Sequence, residues 1–153
     1  MNDNLKALLA NQYKMLDELL KDINKNILTT KPGNEKWSVF ENLAHLGRYN
    51  EIFLGRMQEI QHKNNLAFER YVADNEEGFI EWRSKSFDLV LADFHSLRKT
   101  INHFFEFLSD EQLKKTGTHP KFGELTVTEW LHFYLLHEAH HLFTIFKLIH
   151  ENK

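Results

Sequence analysis

Residues 135–143 read Leu-Leu-His-Glu-Ala-His-His-Leu-Phe, with His137, His140 and His141 inside five positions. At about 100° of rotation per helical residue, His137 and His141 stand one turn apart on the same face. Val127, Trp130, Tyr134, Ile145 and Leu148 share that face, so the two imidazoles point where a core should be. An unpaired polar group costs on the order of 1–3 kcal/mol once buried. A lone histidine in such a stripe is usually a satisfied core or rim residue. A stacked pair at i and i+4 has a further use, because one metal ion can engage a nitrogen of each ring. His140 is rotated off the stripe by roughly a third of a turn.

The letters also match the H-E-x-x-H signature of zinc proteases. The extended form of that signature needs Gly and His where this chain has Thr144 and Lys147. No strand pattern precedes the helix to build a substrate-binding edge. Glu138 is rotated about 100° from His137 and is expected at the rim or in solvent. The protease reading is set aside, and a third ligand must come from upstream. His45, His62, His95, His103, His119 and His132 are the candidates. Of these, His45 lies inside a helical pattern, at the edge of its apolar face.

The elements that must position these residues are helical. Apolar residues recur at three- and four-residue steps over residues 3–25, 38–62, 87–108 and 126–151. Ser38 with Glu41, and Thr126 with Glu129, form S/T-x-x-E capping boxes at two of the starts. Residues 66–78 have weak periodicity and read as a long crossover, and residues 79–85 as a lead-in to the third helix. Residues 109–113 suit a short extra turn, and residues 116–125, broken by Gly and Pro, a loop. The pattern predicts an all-α fold, a four-helix bundle with a long crossover connection, as a single domain over residues 1–153.

Composition narrows the partners. The 153 residues are 42% apolar with thirteen Phe, and contain two Pro and six Gly. That is a globular, breaker-poor chain long enough to bury a core. With a net charge of −3 and interspersed charges, no dense basic block is offered to a phosphate backbone, so the expectation is no nucleic acid. No apolar run approaches the roughly 18 residues of a membrane span. The N-terminal stretch lacks a charged-then-apolar signal layout, and the expected location is cytoplasmic. Cysteine is absent, so a metal must be held by nitrogen and oxygen ligands.

The stretch Trp-Ser-Val-Phe-Glu-Asn-Leu-Ala-His-Leu at 37–46, with His-Glu-Ala-His-His-Leu at 137–142, resembles the DinB superfamily, in particular its YfiT-like metal-dependent enzymes. Residues 119–141 are similar to the stretch that leads into that family's last helix. The resemblance spans residues 37–145. It implies a four-helix bundle with a long crossover and a three-histidine site, with ligands His45, His137 and His141. It implies a divalent ion such as nickel or zinc with open positions, and a homodimer. Some relatives are thiol transferases that use bacillithiol or mycothiol. The chain departs from the pattern at Phe143-Thr144, where Gly-Gln is frequent, and at Arg48, where an acidic residue is frequent.

Three neutral imidazoles leave an ion its full charge and vacant positions, which suits catalysis better than a closed structural site. Such an ion activates water or an incoming low-molecular-weight thiol. The expected function is therefore a divalent-metal-dependent enzyme acting on a small-molecule substrate, as a thiol S-transferase or a hydrolase. The alternative is a non-catalytic metal- or ligand-binding bundle. His119, Glu138, His140 and Trp130 are the pocket candidates. Glu41 is a candidate for orienting a ligand ring, and Arg48 and Arg56 for meeting an anionic substrate.

Overall fold

The computed structural model describes residues 1–33 and 36–151. Asn2 opens α1 (Asp3–Asn11) by accepting from Leu5 N. A 3-10 turn, Gln12–Lys14, joins it to α2 (Met15–Leu20), so the first rod is broken where one continuous helix is predicted. The Leu9 carbonyl accepts from Arg98 Nη2 at 2.8 Å, and Gln12 Nε2 donates to Leu135 O and Glu138 Oε1. The break is thus met by contacts from other rods, to which spacing within one segment is blind. Asp22 turns the chain in the left-handed region, φ 58°, which Asp tolerates. A separate short helix, α3 (Lys25–Thr29), follows.

The predicted box opens α4 (Val39–His62): Glu41 N donates to Ser38 Oγ, and Ser38 N donates to the Glu41 carboxylate. Lys31 and Arg83 also bind that carboxylate, so Glu41 serves the helix start and not a histidine. The expected crossover leads to α5 (Glu77–Ser84), a helix of its own and not the first turns of the next rod. Lys85 is extended, and Ser86 caps α6 (Phe87–Glu106) anew. A Cβ at Gly47 would overlap the Trp82 indole, so α5 lies against α4 only because that position is glycine. Arg48 clamps Glu76 through Nε at 3.0 Å and Nη2 at 2.6 Å, while Glu76 caps Phe79 N. Arg48 therefore joins α4 to α5.

The short turn α7 (Asp110–Leu113) forms as expected, with a Ser109–Gln112 box. The predicted loop after it is a hairpin, β1 (Thr116–His119) with β2 (Gly123–Thr126), paired antiparallel from Thr116↔Thr126 to His119↔Gly123. Four-residue strands are too short for alternation to stand out. Phe68 N donates to Thr118 O and Thr118 N to Leu66 O, which fastens the crossover along β1. The Thr126–Glu129 box then opens α8 (Val127–Glu151) as predicted.

The long helices α4, α6 and α8, with the broken α1–α2 rod, bury two apolar clusters. One holds Leu16, Leu43, Phe94 and Ile145; the other holds Leu9, Phe53, Ile101 and Trp130. Between them each rod contributes polar side chains: Gln12, then Asn42, His45 and Asn50, then Arg98, then His137, Glu138 and His141. This polar band carries the site. Among the described residues no helix is long and apolar enough to cross a membrane.

Candidate metal centre

α4 supplies His45, and α8 supplies His137 and His141 one turn apart. Each offers a ring nitrogen within 4.8 Å of the other two. His45 Nε2 and His137 Nε2 are 3.1 Å apart. His141 Nδ1 donates to Asn42 Oδ1 at 2.8 Å, and the Asn42 amide is itself oriented by Nδ2 donating to Ser38 O at 2.8 Å. The proton of a neutral His141 thus sits on Nδ1, which leaves the Nε2 lone pair free.

Burial pushes all three imidazoles down to about 3, helped by the neighbouring rings: His141 beside His45, His45 beside His137, His137 beside His141. All three are therefore neutral near pH 7, the form that ligates a metal. Two nitrogens each about 2.0–2.1 Å from one ion lie roughly 2.9–3.4 Å apart for angles from about 90° to tetrahedral. The His45–His137 spacing of 3.1 Å falls in that range. The Nδ1 atoms of His45 and His137 are enclosed with no hydrogen-bond partner among the described residues. The three-imidazole donor set fits a borderline divalent ion.

A cavity of about 910 Å³ opens on this cluster, with His45 and His137 in its wall. Trp37 packs over His45 at 4.8 Å and stacks near His141 at 6.0 Å, so it forms a wall of the site. Tyr49 and Tyr71 flank His45, and the Tyr71 hydroxyl is enclosed without a partner among the described residues. The crossover carries Tyr71 and the hairpin carries His119 into the same wall.

The pocket candidates divide. His119 lines the cavity as expected, its Nδ1 accepting from Lys121 N and Phe122 N in the hairpin turn. Trp130 is fully buried behind it and donates to Gly117 O at 3.0 Å, so it holds the hairpin and is not part of this cavity's wall. His140 is exposed and meets only the back of the cluster, its ring 5.2 Å from His141. Glu138 corrects the expectation of a rim or solvent position. It is 0% exposed, 3.0 Å from the equally buried Arg98, and accepts from Gln12. α8 is covered on two sides, so the Leu131–Leu135–Glu138–Leu142 face is buried as well as the histidine stripe. Burial pushes the Glu138 carboxyl up, against the pull of Arg98 and Gln12. His62, His95, His103 and His132 stay outside the cluster.

Sequence reading missed Asn42, Tyr71 and Arg98. Arg98 had a signal: it interrupts the buried stripe Val90, Phe94, Ile101, Phe105. Asn42 had one too, a polar residue one helical step before His45, though its partner lies 99 positions away. Tyr71 lies in the crossover, where no periodicity gives a direction.

A sequence-family model described as the DinB superfamily matches residues 8–145. The chain belongs to the DinB superfamily. Among curated relatives, the uncharacterized protein YuaE of Bacillus subtilis (strain 168) is 26% identical over 140 residues, covering 80% of this chain and 83% of that protein. Among solved structures, YfiT from Bacillus subtilis superposes with TM-score 0.81 at 19% identity, over 95% of this chain and 84% of that one. It is described as a probable metal-dependent hydrolase with an unusual four-helix bundle topology. The colibactin self-resistance protein ClbS superposes with TM-score 0.68 at 18% identity, over 95% and 94% of the two chains, and was solved in complex with double-stranded DNA.

That complex corrects the exclusion of nucleic acid drawn from charge. ClbS, whose fold superposes on this one, was solved with double-stranded DNA, so a net charge of −3 does not rule out such a partner for the fold. Net charge averages over the whole surface, whereas phosphates respond to the local arrangement of cations.

Proposed function

We propose that this DinB protein is a metal-dependent enzyme in which His45, His137 and His141 hold one divalent ion, nickel or zinc. The adjoining cavity admits a small molecule for attack by water or by a low-molecular-weight thiol. One observation carries the reading: three neutral imidazoles from two helices, two buried and one half-buried, bring ring nitrogens within 4.8 Å of one another beside a 910 Å³ cavity. The ion would supply Lewis acidity, lowering the pKa of a water or thiol.

The chain's own residues prepare the rest. Asn42 sets the His141 tautomer, and Trp37, Tyr49 and Tyr71 surround His45 with rings that keep bulk water off it. The description of YfiT as a probable metal-dependent hydrolase favours water as the nucleophile. A chain with no cysteine runs thiol chemistry only with sulfur from a small molecule.

Elemental analysis of the purified protein tests the site. About one equivalent of transition metal is expected, lost in His45→Ala and His141→Ala and kept in His140→Ala. Protein that takes up no divalent ion after reconstitution ends the reading. Turnover is read with the loaded protein on an ester and amide panel, and on a thiol panel with a reactive electrophile. Consumption no faster than with metal-free protein in either panel would leave a non-catalytic, metal-binding bundle.

A further inference from the structure

The chain is acidic, yet the cavity wall is not. Of the 22 Asp and Glu residues, Asp74 alone lines the cavity among the described residues, and its Oδ1 already accepts from Trp37 Nε1. The cations that line it come from three separate elements: Arg56 from α4, Arg70 from the crossover and Lys121 from the hairpin turn. None of the three has a carboxylate partner among the described residues, although Arg48, only two turns before Arg56, has two.

Arg56 is the informative one. Its guanidinium is half-buried over the Phe68 and Trp130 rings and, among the described residues, donates only to the Glu69 carbonyl. A guanidinium carries five N–H donors, so most are unused by the chain. His119 adds a neutral donor: with Nδ1 accepting two backbone N–H groups, its proton sits on Nε2, which has no partner among the described residues. Burial, then the charges of Arg56 and Lys121, hold His119 below its ordinary value, as a locally positive wall requires.

We propose that this wall is an anion subsite, and that the molecule processed at the three-histidine cluster carries a carboxylate or phosphate group seated between Arg56, Lys121 and the His119 Nε2–H. The proposal rests on the cavity being the substrate site. Such an anion would meet three donors from the cavity wall and neutralise charges that have no carboxylate partner among the described residues. Charge-assisted hydrogen bonds to guanidinium make the contact geometrically selective. Phe122 and Phe133, packed beside His119, also line the cavity and give it apolar wall for a planar or apolar body next to the anionic group.

Titration calorimetry with phenyl phosphate and the neutral benzyl alcohol tests this, on metal-loaded and on metal-free protein. Phenyl phosphate should bind about tenfold or more tighter, a preference that weakens with added salt. Arg56→Gln with Lys121→Gln should remove most of the preference and leave the metal content unchanged. Lys121→Gln alone, on the exposed turn, should remove part of it without touching the core. Equal affinity for the two probes, or a preference indifferent to both variants, overturns the subsite. A preference that vanishes with the metal overturns it too, since the anion would then be bound by the ion. A short DNA duplex that binds through Arg56 and Lys121 while phenyl phosphate does not bind would also overturn it, in favour of a nucleic-acid surface. Because the metal-free arm is read separately, failure of the metal site leaves this test standing.

Discussion

Asn42 decides which nitrogen His141 can offer. Its amide cannot turn freely, because Nδ2 is spent on the Ser38 carbonyl that also begins α4. Oδ1 therefore faces His141 Nδ1, and the ring is held in orientation and tautomer at once. Partners of this kind are commonly worth 10–100-fold in metal affinity. Asn42→Ala should weaken metal binding by about that factor while the helical circular dichroism stays as in the parent. Competition against a chromogenic chelator reads the difference. An unchanged affinity would mean that His141 is oriented by its packing against Trp37 and His45 instead.

At the scale of the elements, the polar band is what joins the rods. Arg98 donates to Tyr134 Oη and to the Leu9 carbonyl and sits against Glu138, and Tyr134 Oη donates to Asn50. One guanidinium thus touches α1 and α8, and reaches α4 through the tyrosine. Glu138→Ala strands that buried charge and should cost about 3–5 kcal/mol, whereas replacing both Arg98 and Glu138 by Met should recover much of the loss. Urea unfolding of the two variants decides it. A single variant no worse than a surface substitution would show that Arg98 needs no countercharge. Neither residue lines the cavity, so the folded double variant should still take up its metal.

For the whole molecule, the cluster ties stability to pH. The folded imidazoles sit at about 3, below the ordinary 6.5 of an unfolded histidine. Above about pH 6.5 both states are neutral and nothing is lost. As the pH falls from about 6.5 toward 3, the unfolded chain takes up protons that the folded one refuses. Stability then drops, by at most about 1.4 kcal/mol per pH unit for each histidine. Metal-free protein should therefore show a urea midpoint that falls between pH 7.5 and 5. In a variant with Gln at positions 45, 137 and 141 the fall should be clearly shallower. Identical slopes would place the pH dependence in other groups.

The sequence alone settled the rods that stand on local signals: the Ser38–Glu41 and Thr126–Glu129 boxes, the stripes of α4, α6 and α8, and the crossover between them. It also put His137 and His141 on one face, because a turn of helix is local geometry. Spacing left His45 among several candidates, and a family resemblance singled it out. Tertiary structure decided what no single segment contains. Asn42 meets His141 across 99 positions, Gln12 meets Glu138 across 126, and Arg98 reaches the Leu9 carbonyl where the first rod breaks. Glu138 turned inward because α8 has neighbours on two sides, and the hairpin and crossover closed one wall around the cavity. Periodicity reports which residues share a face. Only packing reports what that face meets, and the partners that Asn42, Glu138 and Arg98 find in this band lie far away in the chain.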